Sequence, residues 1–247
     1  MDAALRKTVA LLGKDARDMV RNPTMLVCCL LPLAFIVLFD KTMGANVDAN
    51  GEAAQSAFDA MMLSYALLFT STMVSSMATT TAIAEEREKS TLRTLMLANV
   101  GAGQILLSRG IVALAVIAIV DAACYLALGQ PAEGLAAFLA IGMAGSVPIV
   151  LVSLLMGLAA RDQMSAGLLS MPILLVGIAP MLSPYLDGFS EIAVYLPTGG
   201  MNELGALLAK GALLTPDALP PVLGMLAWIV AAGAAFALVY RRLSRDN

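Results

Sequence analysis

The sequence predicts an all-α membrane protein of six transmembrane helices preceded by an amphipathic helix at the membrane surface. Three observations predict it. First, hydrophobic residues make up 60% of the 247 and charged residues 13%, against about 45–50% and about 25% in soluble domains. Second, the charges are gathered into a few short stretches between apolar runs long enough to cross a bilayer, for which about 20 residues are needed. Third, Gly, Ala, Ser and Thr recur inside those runs while aromatic residues are only 5%, the composition of helices that pack closely on one another in lipid.

Residues 1 to 23 form the surface helix. Leu5, Val9, Leu12, Ala16, Met19 and Val20 recur every three or four residues, with Arg6, Lys7, Lys14, Arg17 and Arg21 between them, an apolar stripe with a basic face. This charged start has no signal-peptide pattern. Residues 24 to 247 form the transmembrane domain. The first span, about 24–40, is expected to be interrupted at Pro32, and residues 40–57, with Asp40, Lys41, Asp48 and Glu52, read as a polar connection. The second span, 58–84, is rich in Ser, Thr and Met. The run EEREK, Glu85 to Lys89, ends it, and the spacing of Leu92, Leu95 and Met96 predicts a short helix over the segment 85–97. Spans three and four, 104–128 and 135–160, are joined by a tight turn at Gly129 to Gly134. Arg161, Asp162 and Gln163 precede span five, 164–183. Residues 185–217 hold apolar stretches too short to cross, which fits partial entry into the bilayer. Span six covers 219–240.

Of the 15 Lys and Arg residues, only Lys41 and Lys210 lie on one side of this arrangement. The positive-inside rule therefore predicts that the N- and C-termini are both cytoplasmic.

Several functions lack their residues. The chain has no histidine, no CxxC pair and, in Cys28, Cys29 and Cys124, only cysteines embedded in apolar runs, so no catalytic constellation and no metal site is expected. Gly13 and Lys14 are followed by Asp15, without the phosphate-loop glycine spacing, which excludes ATP binding by that route. The basic residues follow membrane topology rather than a groove with stacking aromatics, so no nucleic-acid partner is expected. Asp121 is the acid well inside a span; it fits either a substrate or ion contact or a carboxylate hydrated at the outer interface. Met61, Met62, Met73 and Met77 fit either an adaptable surface or helix-packing filler. The hydroxyls of span two, Ser75 and Thr79 among them, fit either a dimer seam or pathway, or internal packing.

The order of four features carries a resemblance: RNP at Arg21 to Pro23 after the basic helix, a first span containing proline, a second span running into EEREKSTLRTL, and LPTG at Leu196 to Gly199 before the last span. In these the chain resembles the permeases of ABC-2-type transporters over nearly its whole length. The resemblance implies that Glu86 and Glu88 stand for the two acids of E-x-E-x-G-T-L, with Thr91 and Leu92 as its final pair; Ser90 replaces the usual glycine. It further implies a cytoplasmic coupling helix, made by Glu85, Glu86, Arg87, Glu88, Lys89, Ser90, Thr91, Leu92 and Arg93, that docks a separate ABC ATPase subunit. ATP and Mg would then be bound by that partner and no cofactor by this chain. Re-entrant helices between spans five and six, a homodimer or heterodimer with a similar permease, the bacterial-type cytoplasmic membrane and export of a drug, peptide, lipid or ion are the other implications. An intramembrane enzyme would need convergent polar residues at one depth, which Asp121 does not supply alone. A non-transporting membrane scaffold or immunity protein is the alternative that composition leaves open.

Overall fold

The computed structural model describes residues 3–48, 51–89 and 101–243, and every regular element among them is a helix. We number these helices in chain order. Helix α1 spans Ala3–Arg21 and α2 spans Pro23–Asp48. Helix α3 runs without a break over Glu52–Glu88. Next come α4 (Ala102–Ala127), α5 (Leu135–Ala159) and α6 (Gln163–Ile178). The short α7 (Phe189–Ala193) and α8 (Gly199–Ala209) precede α9 (Leu219–Leu243). Six of these, α2 to α6 and α9, are long and apolar enough to cross a membrane, and by that measure the chain is a multi-pass membrane protein.

Two boundaries differ from those expected. Pro32 lies inside α2 and does not interrupt it; a proline costs little continuity in a membrane helix, where neighbouring helices satisfy the freed backbone group. The polar stretch 40–57 is mostly helical, because leaving an apolar environment does not end a helix unless the sequence supplies a breaker. Helix α2 continues to Asp48, and α3 begins after Gly51, whose φ of 94° is a conformation that favours glycine. The turn from α4 to α5 falls where expected, with Gly129 at φ 67° and the Tyr125 hydroxyl donating to the Pro131 carbonyl at 2.7 Å. Helix α6 starts at a capping box in which Asp162 accepts from the Ser165 backbone N–H at 2.7 Å.

The axis of the bundle is α3. Its most apolar window is 72% buried, compared with 28% for α2 and for α6 and 11% for α9. Small residues allow the close approach: a Cβ on Gly157 of α5 would stand 2.9 Å from the Ile83 Cβ, and one on Gly205 of α8 would stand 3.1 Å from the Ser64 Cα. Helix α8 packs against α3, α5 and α9, and the Ser64 hydroxyl donates to the Asn202 carbonyl at 2.9 Å. At 11 residues α8 is too short to cross. Between Met73 and Thr79 α3 leaves the α winding for a π-helical one, and the Thr79 hydroxyl donates five residues back to the Val74 carbonyl at 3.0 Å.

Candidate functional site

Successive residues of an α-helix point about 100° apart, so the four residues that end α3 face four directions, and each meets a different part of the chain. Glu85 accepts from the Asn22 amide at 2.8 Å, at the join of α1 and α2, and from Lys89 at 2.5 Å. Glu86 Oε1 lies 2.5 Å from Lys14 Nζ of α1 and 2.7 Å from Arg109 Nη2 of α4. Arg87 donates to the carbonyls of Leu158 at 2.5 Å and Ala160 at 2.9 Å, satisfying acceptors that the end of α5 leaves open. Glu88 accepts from the Gln163 backbone N–H at 3.2 Å, in the first turn of α6, where a carboxylate suits the helix dipole.

Behind this quartet lies a buried layer. Asp15 accepts from the Ser108 hydroxyl at 2.6 Å and sits 3.4 Å from Arg109 Nη2. It occupies the buried stripe of α1 between Leu11 and Met19. Only 3% of the Asp15 side chain, 6% of Arg109 and 8% of Glu86 are exposed. Burial pushes the Asp15 carboxyl above the usual carboxylate range, with Arg109, Ser108 and Lys14 pulling it partly back. Burial disfavours the Lys14 charge, yet the Glu86 and Asp18 carboxylates outweigh it and hold its ammonium above the ordinary lysine value. Oxygens of Asp15, Asp18 and Glu86 approach one another closely enough to share a cation. Lys14 Nζ already stands among them at 3.7, 3.1 and 2.5 Å and supplies that positive charge. An open cavity of about 440 Å³ borders the junction, lined on one side by Asp18 and Arg21 and on the other by Glu85 and Lys89.

The expected site residues thus separate. Glu85 to Lys89 are brought together with α1, α4, α5 and α6, whereas Ser90, Thr91, Leu92 and Arg93 lie outside the described residues. Glu86 faces inward, not outward: it is held by two cations inside the bundle. Ser75 and Thr79 lie on the π-helical stretch and face the interior of the single chain.

Asp121 is fully buried, and neither carboxylate oxygen has a hydrogen-bond partner among the described residues. Hydration at an outer interface is therefore not its state here. Gly142 of α5 makes the room, since a Cβ there would meet the Asp121 carboxyl and stand 3.0 Å from Leu67. Thr70 is its polar neighbour.

Lys14, Asp15, Asn22, Ser108 and Arg109 are the members that sequence reasoning missed. Two signals pointed to them: an acid at the centre of the apolar stripe of α1, and an arginine one turn inside the apolar run of α4. No protein-family model matches the chain, and no curated protein matches it.

Proposed function

We propose that the chain is the membrane-spanning subunit of an ATP-binding-cassette exporter in a bacterial-type cytoplasmic membrane. The α1 end of the bundle faces the cytoplasm, and a separate ABC ATPase subunit, holding ATP and Mg, docks there. One observation carries the reading. The EERE quartet, which the resemblance sets at the start of the coupling helix, is bonded to α1, α4, α5, α6 and the α1–α2 join. A push delivered beside it reaches nearly every span at once, which is what a subunit driven from outside the membrane requires. The basic residues concentrated at that end support the orientation. Helices α7 and α8 are both too short to cross, and α8 is packed among the spans, which supports the re-entrant reading of 185–217. The chain works as a pair, with itself or with a similar permease, and carries a drug, peptide, lipid or ion.

The docking surface is tested by co-purifying the chain in detergent with the ABC ATPase encoded beside its gene. The informative variants are Leu92→Glu and Arg93→Glu, which leave the Glu86 ion network intact. The complex is expected with the native chain and lost with the variants. A native chain that captures no ATPase refutes the reading and favours the non-transporting scaffold.

A further inference from the structure

Helix α3 is held at both ends of its π segment. On the far side of Met73, the Tyr65 hydroxyl donates to the Met181 carbonyl at 2.9 Å, and Thr72 packs against Gly177 of α6. On the near side of Thr79, Glu85 to Glu88 make the bonds described above. An i→i+5 turn encloses one residue more than an i→i+4 turn, and such segments are rare and frequently lie at functional sites. Between two anchored ends, α3 therefore accommodates a residue that a plain α-helix would have no place for. Within the segment Ser76 and Thr79 donate to the carbonyls of Thr72 and Val74, while the buried Ser75 hydroxyl has no hydrogen-bond partner among the described residues.

We propose that the junction and the π segment are two parts of one conformational switch. The quartet Glu85–Glu88 fastens α3 in its over-full register. When the fastening is released, Met73–Thr79 rewinds to an α-helix, and Thr80–Glu88 advances by one residue, a turn of about 100° and a shift of about 1.5 Å. The advance has a mechanical consequence. Ala84 packs in a tight cluster with Ala160 and Ala166, the three being 0–1% exposed. Rewinding brings Ile83 to the place of Ala84, where those alanines leave no room for it, so α3 must part from α5 and α6 at this end. This inference stands on α3 alone and does not depend on the partner proposed above.

The test is thiol crosslinking with a short bifunctional reagent, in membranes, on a chain carrying Cys28→Ala, Cys29→Ala and Cys124→Ala. The pair Ala84→Cys with Ala166→Cys reports the fastened register; in Ile83→Cys with Ala166→Cys the small thiol side chain fits the place of Ala84 without parting the helices, so this pair reports the rewound one. The pair Thr72→Cys with Gly177→Cys lies beyond the π segment and reports that the bundle is folded. With the junction intact, crosslinking is expected at 84 and not at 83. Adding Glu86→Ala and Arg87→Ala is expected to shift it from 84 to 83 while the 72–177 crosslink persists. Persistence of the 84–166 crosslink in that released chain, with 72–177 intact, overturns the proposal. Should the released chain also lose 72–177, deletion of Met77 decides. Removing the surplus residue should leave both 84–166 and 72–177 crosslinks in place with the junction intact, and loss of 84–166 alone in that chain overturns the proposal.

Discussion

Replacing Glu86 by alanine tests whether this residue fastens the bundle or faces a partner. Its side chain is 8% exposed and meets Lys14 at 2.5 Å and Arg109 at 2.7 Å. Removing one member of a buried ion pair costs about 3–5 kcal/mol, chiefly because the remaining charge is left buried without compensation. Arg109 keeps Asp15 at 3.4 Å, and Lys14 is partly exposed, so the lower end of the range, about 3 kcal/mol, applies. At about 2–4 °C per kcal/mol for a chain of this size, Tm should fall by about 6–12 °C. The chain supplies its own assay. Cys28, Cys29 and Cys124 are free and buried, so a thiol-reactive dye reports unfolding in detergent or nanodiscs without added labels. Glu88→Ala is the control, because that exposed residue makes one bond of 3.2 Å to a backbone N–H, and its loss should cost less than about 1 kcal/mol. A Glu86→Ala chain whose Tm stays within about 2 °C of the native value, less than 1 kcal/mol, would refute the fastening and return Glu86 to a docking surface.

Three further outcomes are expected. Because pairing holds Lys14 above its ordinary value of 10.5, its contribution is complete below that pH and is lost as pH rises through the folded-state value. The thermal stability of the native chain should then fall relative to Lys14→Gln as pH rises above about 10.5, and parallel curves for the two chains would count against the pair. Gly199→Ala, in the LPTG turn, places a methyl group 2.6 Å from the Val194 carbonyl oxygen; since backbone cannot step aside like a flexible side chain, a loss of about 1–3 kcal/mol is expected in the dye assay. Asp121→Asn keeps the shape of a side chain whose oxygens have no hydrogen-bond partner among the described residues, so Tm should hold or rise, and a fall above about 5 °C would mean that the carboxyl has an essential partner.

The spans were legible because crossing a bilayer demands a local, contiguous property, a long apolar run, and such a run is visible in sequence. Helix ends were less so. Asp40 and Lys41 mark where the chain becomes polar, but a helix stops only where the backbone is made to turn, and that happens near Gly51. The resemblance drew attention to EEREK, but the direction in which those side chains point was not legible. Glu86 reads as a surface charge at the exit of a span; what turns it inward is Lys14, 72 residues away, and Arg109, which counted in the sequence only as one more basic residue on one side. The Asp121 carboxyl was visible as an anomaly, but its burial depends on Gly142, a residue whose contribution is the absence of a side chain.

The quartet also constrains how the sequence can drift. Glu85 and Glu86 are matched to side chains, Asn22 for the first and Lys14 with Arg109 for the second, so either acid can change only together with a distant partner. Arg87 and Glu88 are matched to main-chain groups, the carbonyls of Leu158 and Ala160 and the amide of Gln163. Residues 158 and 163 are free to vary while a long donor and an acceptor persist opposite them, whereas Ala160 is held small by its packing against Ala84 and Ala166. Among natural variants of this chain, the first two positions should therefore covary with remote sites, and the last two should stay constant beside neighbours that do not.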